Sequence, residues 1–179
     1  MLKQLLETPV ISRIRRNHGL EHATLHILAR RFPNLPMAGH STASGFRLLG
    51  DLPSDAIQEA VDEALRRMSA GEHNLAIHPN CGTNFATSGI LAGLAAGSVM
   101  LGSNARRRDQ LERLPMAAAC ATLALMVSLP LGLRVQKYVT TSGHPGGMQV
   151  VEILRSKARF SLFGGRQAGV TVHFVRTRG

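Results

Sequence analysis

The sequence predicts an α+β domain at a membrane face, interrupted by a two-helix transmembrane hairpin. Three observations predict it. Two long uncharged runs, Phe85 to Gly102 and Leu114 to Leu133, occupy the middle of the chain. Helical periodicity and short strand-like alternation flank them on both sides. The 179 residues carry 21 Lys and Arg against 11 Asp and Glu, a net charge of +10. A chain this basic favours an anionic partner, nucleic acid or an anionic lipid surface.

Composition narrows the choice. Hydrophobic residues make up 44%, which excludes a disordered chain. Two cysteines exclude a disulfide-stapled secreted fold. Six Phe, one Tyr and no Trp, with scattered arginines, give no stacking platform for nucleic acid, so lipid is the expected partner and nucleic acid is not. There is no solenoid repeat, phosphate loop, dinucleotide fingerprint or serine elbow. The opening MLKQLLETPVISRIRR has no apolar core of signal-peptide length.

The elements follow in chain order. Residues 1–83 read as an α/β segment. Its first helix spans 12–31, with Pro9 before it and Pro33 after it. Residues 41–50 suit a short strand or hairpin arm. Ser54 is placed to cap the next helix, whose apolar residues Ile57, Ala60, Val61, Ala64, Leu65 and Met68 form one stripe. Asp55 and Glu59 open that helix, Arg66 and Arg67 close it, and Gly71 follows, as the helix dipole and C-cap prefer. Asn74 to His78 reads as a strand, completing a βαβ unit.

Residues 84–134 read as the hairpin. A helix needs about 20 residues to cross about 30 Å of hydrocarbon, so the second run fits and the first needs Asn84 and Ser103 at its ends. Gly89, Gly93 and Gly97 form a ridge that lets a second helix approach closely in lipid. The second run answers with Ala117, Ala121, Ala124 and Ser128, and the same ridge could join two copies of the chain. Pro130 should kink the second helix or fray its last turn. The basic residues divide evenly between the loop and the outer ends. The basic N-terminal segment breaks the tie, placing both termini in the cytosol of a bacterial cytoplasmic membrane. Residues 135–179 read as a β-rich segment packing on the first: strands at 149–154 and 158–163, a turn at Gly164 and Gly165, and a last strand around Val170, Val172 and Phe174. A hairpin returns the chain to the side it left, so both flanks can share one sheet.

Two stretches carry ligand chemistry. The first is His18-x-x-Glu21-His22 on the first helix. His18 and His22 lie about 40° apart around the axis and one turn apart along it, so two imidazoles can share one zinc. Glu21 is the candidate catalytic base, lying about 60° to the other side of His18. His26 continues the stripe. The arrangement resembles the inverted zinc peptidases of the insulysin and pitrilysin group. Their third ligand, a downstream Glu, has no counterpart here, because its place falls within the uncharged run. Buried histidines bonded to backbone or carboxylates would explain the same stripe.

The second stretch is His78-Pro79-Asn80-Cys81-Gly82-Thr83-Asn84. His78-x-x-Cys81 is a two-ligand bite for zinc. With His18 and His22 it completes a set of three imidazoles and one thiolate, a closed structural site. Two other readings stand beside it: a reactive thiol at a helix N-terminus, and a turn built by Pro79, Asn80 and Gly82 ahead of a capped helix. His40, His73 and His144 fall in loop-like contexts, where solvation is the ordinary state.

The blocks RNHGLEHATLHIL, GFRLLGDLP and EALRRMSAGEHNLAIHPNCGTN, followed by the two uncharged runs, resemble an uncharacterised bacterial membrane-protein family of cyanobacteria and related phyla, a domain of unknown function. The resemblance covers residues 12–140 and is carried by Leu20 to Thr24 and His78 to Asn84. It implies a membrane location and no known activity. The expectation is therefore a small integral membrane protein of unknown activity with a candidate zinc site at His18, His22, His78 and Cys81. The alternatives are a membrane-bound zinc hydrolase using Glu21, and a non-catalytic scaffold with packed histidines.

Overall fold

The computed structural model describes residues 1–101, 107–160 and 168–179. The expected turn at Gly164 and Gly165 and the central loop residues 104–106 lie outside the described residues. The chain divides into two compact units, Met1–His78 with Lys137–Gly179, and Pro79–Gln136.

The first unit is α+β. A short exposed helix, α1 (Leu2–Leu6), precedes the long α2 (Pro9–Arg31). Strands β1 (Ala38–Thr42) and β2 (Gly45–Leu49) form a tight hairpin. Helix α3 (Ser54–Ser69) follows, and strands β3 (Gln149–Phe160) and β4 (Ala168–Arg178) come from the far end of the sequence. The sheet order is β1-β2-β4-β3, antiparallel throughout, so both flanks of the chain share one sheet.

Of the stripe expected on α3, Ile57, Ala60, Val61, Ala64 and Met68 are fully buried, and Leu65 packs partly buried at its edge. They join Leu20, Ala23, Ile27 and Leu28 of α2, and Phe46, Leu48 and Val175 of the sheet, in one core. Removing side chains of this size from water supplies about 1.5–3 kcal/mol each, the main driving force for closing the unit.

Three expectations are corrected. Asn74 to His78 is not a strand, so there is no βαβ unit: His73–Ala76 is a 3₁₀ turn, and its backbone serves the histidines of α2 instead of a ladder. Ser54 does not cap α3. It is the first helical residue, Pro53 holds the cap position, and the Ser54 hydroxyl lies 3.1 Å from His173 Nε2. The two expected strands at 149–163 are one continuous strand, β3, as far as Phe160.

The second unit is a helical hairpin of α4 (Gly82–Met100) and α5 (Arg107–Val135). The chain leaves α5 through a π-helical turn, Gln136–Thr140. Polar groups hold the two helices together. Ser88 and Ser128 share a hydroxyl bond of 2.6 Å, buried Gln136 donates to buried Asn84 at 2.7 Å, and Arg113 donates to Val99 O at 2.9 Å. The glycine ridge is not where the helices meet: a Cβ at Gly89, Gly93 or Gly97 would contact nothing within 4 Å. The close approach is at Gly132, where a Cβ would lie 3.1 Å from Asn84 Cα. Helix α5 continues through Pro115 and Pro130, the latter expected to kink it or fray its end.

The expected transmembrane hairpin reduces to a single candidate span. Among the described helices only the stretch Arg108–Thr140 is long and apolar enough to cross a bilayer. Helix α4 contributes Thr83, Asn84, Thr87, Ser88, Ser98 and four glycines to its 19 residues, which dilutes its apolar character.

His173 gives the first unit a pH dependence. It is fully buried on β4, and its Nδ1 has no hydrogen-bond partner among the described residues. Burial, then the Arg155 guanidinium, push its pKa below the ordinary 6.5, against a smaller opposite pull from Asp51. A depressed histidine pKa means that the unfolded chain takes up a proton the folded one refuses. Its contribution is therefore complete above about pH 6.5 and drains as pH falls. Thermal unfolding measured from pH 7.5 to pH 5.5 should show a falling midpoint, and His173→Asn should flatten that fall. Parallel slopes in the two proteins would refute the assignment.

Candidate metal centre

Helix α2 presents three faces, and each meets a different requirement. Leu20, Ala23 and Ile27 enter the core. Asn17, Glu21 and Thr24, three or four residues apart, form a second, buried polar face. Asn17 donates to Thr42 O at 2.8 Å and accepts from the Thr177 hydroxyl at 2.6 Å, tying the helix to β1 and β4. Thr24 bonds back to Leu20 O at 2.8 Å.

The third face carries His18, His22 and His26. Their imidazoles meet backbone carbonyls from two other segments. His18 Nδ1 lies 3.0 Å from Thr140 O, His22 Nδ1 lies 2.8 Å from Ala76 O, and His26 Nε2 lies 2.8 Å from Ile77 O. A carbonyl oxygen can only accept, so each of these ring nitrogens carries the proton. In neutral His18 and His22 the lone pair is then on Nε2. This is the tautomer that a metal-ligating histidine adopts when its other nitrogen is held by a backbone carbonyl.

His78 joins this face. Its ring centroid lies 4.6 Å from that of His26 and 5.7 Å from that of His22, while His18 and His22 are 4.4 Å apart. Burial and the neighbouring His26 and His22 push the His78 pKa down to about 4, so it is neutral at physiological pH. The fold thus brings together His18, His22, His26 and His78. Cys81 lies in the other unit, three residues beyond His78, as the N-cap of α4, where its sulfur accepts from the Thr83 N–H. Cys81 and Cys120 form no disulfide among the described residues.

Glu21 points elsewhere. Its carboxylate is buried and takes a short hydrogen bond from the Ser41 hydroxyl of β1. A Cβ at Gly39 would collide with that carboxylate, so β1 leaves this position bare for it. Burial raises the Glu21 pKa above its ordinary value, partly offset by the Ser41 bond and by His18 and His40.

The carbonyls that orient the histidines, and the Ser41 and Gly39 niche, are tertiary features that no local pattern announces. His73 and His144, expected to be solvated, pair with ring centroids 3.9 Å apart, and His73 Nδ1–H donates to Gly143 O.

The fold and this face define a small α+β protein with a histidine cluster on its central helix and an apolar helical hairpin. The chain belongs to a family defined as a domain of unknown function, DUF6391, whose model matches residues 13–153. An uncharacterized protein of Picosynechococcus sp. is 34% identical over 175 residues, spanning 92% of this chain and 79% of the relative. No solved structure matches.

Gly19, beside His18, is a close-approach point. A Cβ there would overlap the Ser142 carbonyl and lie 3.2 Å from Ala76 Cβ. The same segment is clasped to α2 by Ser142 N–H to Arg15 O at 2.9 Å and by Arg15 Nη2 to Thr141 O at 3.1 Å. Gly19→Ala should cost about 1–3 kcal/mol through overpacking and lower the thermal midpoint by several degrees. An unchanged midpoint would mean that this backbone segment is not seated on α2.

Proposed function

We propose that the protein is a membrane-anchored metal-binding protein, with a divalent ion held by His18 and His22 and completed by His78 and Cys81. The observation that carries the reading is the pair of backbone carbonyls that place the lone pairs of His18 and His22 on Nε2. A ligand needs this tautomer, and a packed histidine bonded to a carbonyl would hold it too, so metal content decides between the two readings. His78 is neutral at physiological pH, as a ligand must be. Cys81 follows His78 by three residues, a tether that spans about 10 Å at most. Imidazoles with one thiolate suit zinc.

The hydrolase alternative draws less support. Its base would be Glu21, whose carboxylate is engaged by Ser41 against β1. Purified protein should contain about one zinc per chain by elemental analysis, with bond lengths of about 2.0–2.1 Å to nitrogen and 2.3 Å to sulfur by X-ray absorption. His22→Gln and Cys81→Ser should each lose most of the metal, while Glu21→Gln keeps it. Metal-free protein of native stability would favour the scaffold of packed histidines. Metal-dependent hydrolysis of a peptide or ester, abolished in Glu21→Gln with metal retained, would favour the hydrolase.

The membrane anchor rests on α5 and its partner helix. Leu111, Leu114, Met116, Leu123, Met126 and Val127 are all exposed on α5, and Phe85, Ile90 and Leu94 on α4. A helix apolar all round its circumference and not covered by protein fits hydrocarbon better than water. After cell fractionation the protein should stay in the membrane pellet through a carbonate wash. Quantitative release would remove the anchor from the proposal.

A further inference from the structure

A cavity of about 430 Å³ opens on the first unit, near the C-terminal end of β3 and the N-terminal end of β4. Gly50, Asp51, Arg155, Lys157, Gly169 and Thr171 line it. The sheet register explains the grouping. Lys157 pairs with Thr171 and Arg155 with His173, so the two cations project from the same face of β3, two residues apart. They lie about 7 Å from each other along the strand. Both are exposed, and neither makes an ion pair among the described residues, although Arg176 and Glu152, nearby on the same two strands, are paired at 2.7 Å.

The opposite wall is Asp51. Its carboxylate accepts from the Thr171 hydroxyl at 3.2 Å and forms no ion pair with either cation among the described residues. The buried His173 is the β4 partner of Arg155, and the charges acting on it are Arg155 and Asp51. Two unneutralised cations side by side cost electrostatic energy that a bound anion would recover. A phosphate offers the matching chemistry, with up to two negative charges and three acceptor oxygens for a guanidinium and an ammonium. The carboxylate would repel a bare anion, so the ligand must also bring hydrogen-bond donors to Asp51. The cavity is of metabolite size.

We propose that this cavity binds a phosphate ester of a small polyol, with the phosphate between Arg155 and Lys157 and a ligand hydroxyl donating to Asp51. A free polyol phosphate and the singly charged phosphodiester of a glycerol-bearing phospholipid head group share a phosphate anion beside a hydroxyl donor. The site stands apart from the histidine face and does not depend on the metal reading.

The test is a titration of the detergent-solubilised full chain with glycerol 3-phosphate, inorganic phosphate and glycerol. Glycerol 3-phosphate should bind saturably and more tightly than inorganic phosphate, and glycerol should not bind. The double variant Arg155→Gln with Lys157→Gln should lose at least tenfold in affinity. Its charge-matched control, Lys3→Gln with Arg66→Gln, should not. Asp51→Asn should erase the preference for the ester over inorganic phosphate. Micelles doped with phosphatidylglycerol identify the source: competition with glycerol 3-phosphate assigns a lipid head group, and its absence assigns a free metabolite. Non-saturable binding, wild-type affinity in the Arg155 and Lys157 variant, or an equal loss in the control would overturn the proposal.

Discussion

The middle of helix α2, residues 17–28, exposes no residue to solvent while carrying polar side chains on two of its three faces, and the rest of the first unit is arranged to satisfy them. A buried polar group without a partner costs about 1–3 kcal/mol, so Asn17, Glu21, His22 and Thr24 would together destabilise the fold if left unmatched. Thr24 bonds back to Leu20 O within the helix, and the partners of the other three come from β1, β4 and the 3₁₀ turn. His18 adds the end of the π-helical turn. The helix therefore dictates where four distant pieces of backbone must lie. A cluster of histidines facing fixed carbonyls is the consequence, and the same bonds put the lone pairs of neutral His18 and His22 on Nε2.

The same constraint separates what was legible in the sequence from what was not. The α3 stripe from Ile57 to Met68 is a burial pattern with period 3.6, and it survives folding because nothing polar competes on that face. The α2 boundary at Arg31 is enforced by Pro33 in the same local way. Asn74 to His78 has strand-like composition, but its carbonyls are needed by His22 and His26, and a 3₁₀ turn aims them where a ladder would not. Ser54 has the composition of a cap, but His173 takes its hydroxyl. In each miss a distant polar group claimed an atom that local rules had assigned elsewhere.

The hairpin shows the limit of motif reading from the other direction. A glycine ridge announces a face on which backbones can approach, without saying which backbone. Within the second unit the helices are joined by Ser88 with Ser128 and by Asn84 with Gln136, polar pairs that fix register. Glycine serves the contact at Gly132, outside the ridge. Removing charge from a run identifies a helix that water does not favour. The placement of a few hydroxyls and amides decides how it meets its neighbour.

Glu21 shows why spacing alone underdetermines chemistry. In an H-x-x-E-H helix the two histidines lie about 40° apart, and the glutamate falls about 100° from the second of them. The carboxylate therefore belongs to the adjacent face of the helix. Whether it can serve the metal depends on what that face meets. Here it shares the face with Asn17 and Thr24 and meets β1, where Ser41 donates to it and the missing side chain of Gly39 leaves it room. A carboxylate so enclosed, with its pKa raised by burial, fits the role of an anchor between helix and sheet. The same three residues can thus frame a catalytic centre in one fold and, in this one, a histidine face beside a carboxylate bonded to Ser41 of β1. The difference lies in which strand the second face of the helix was folded against.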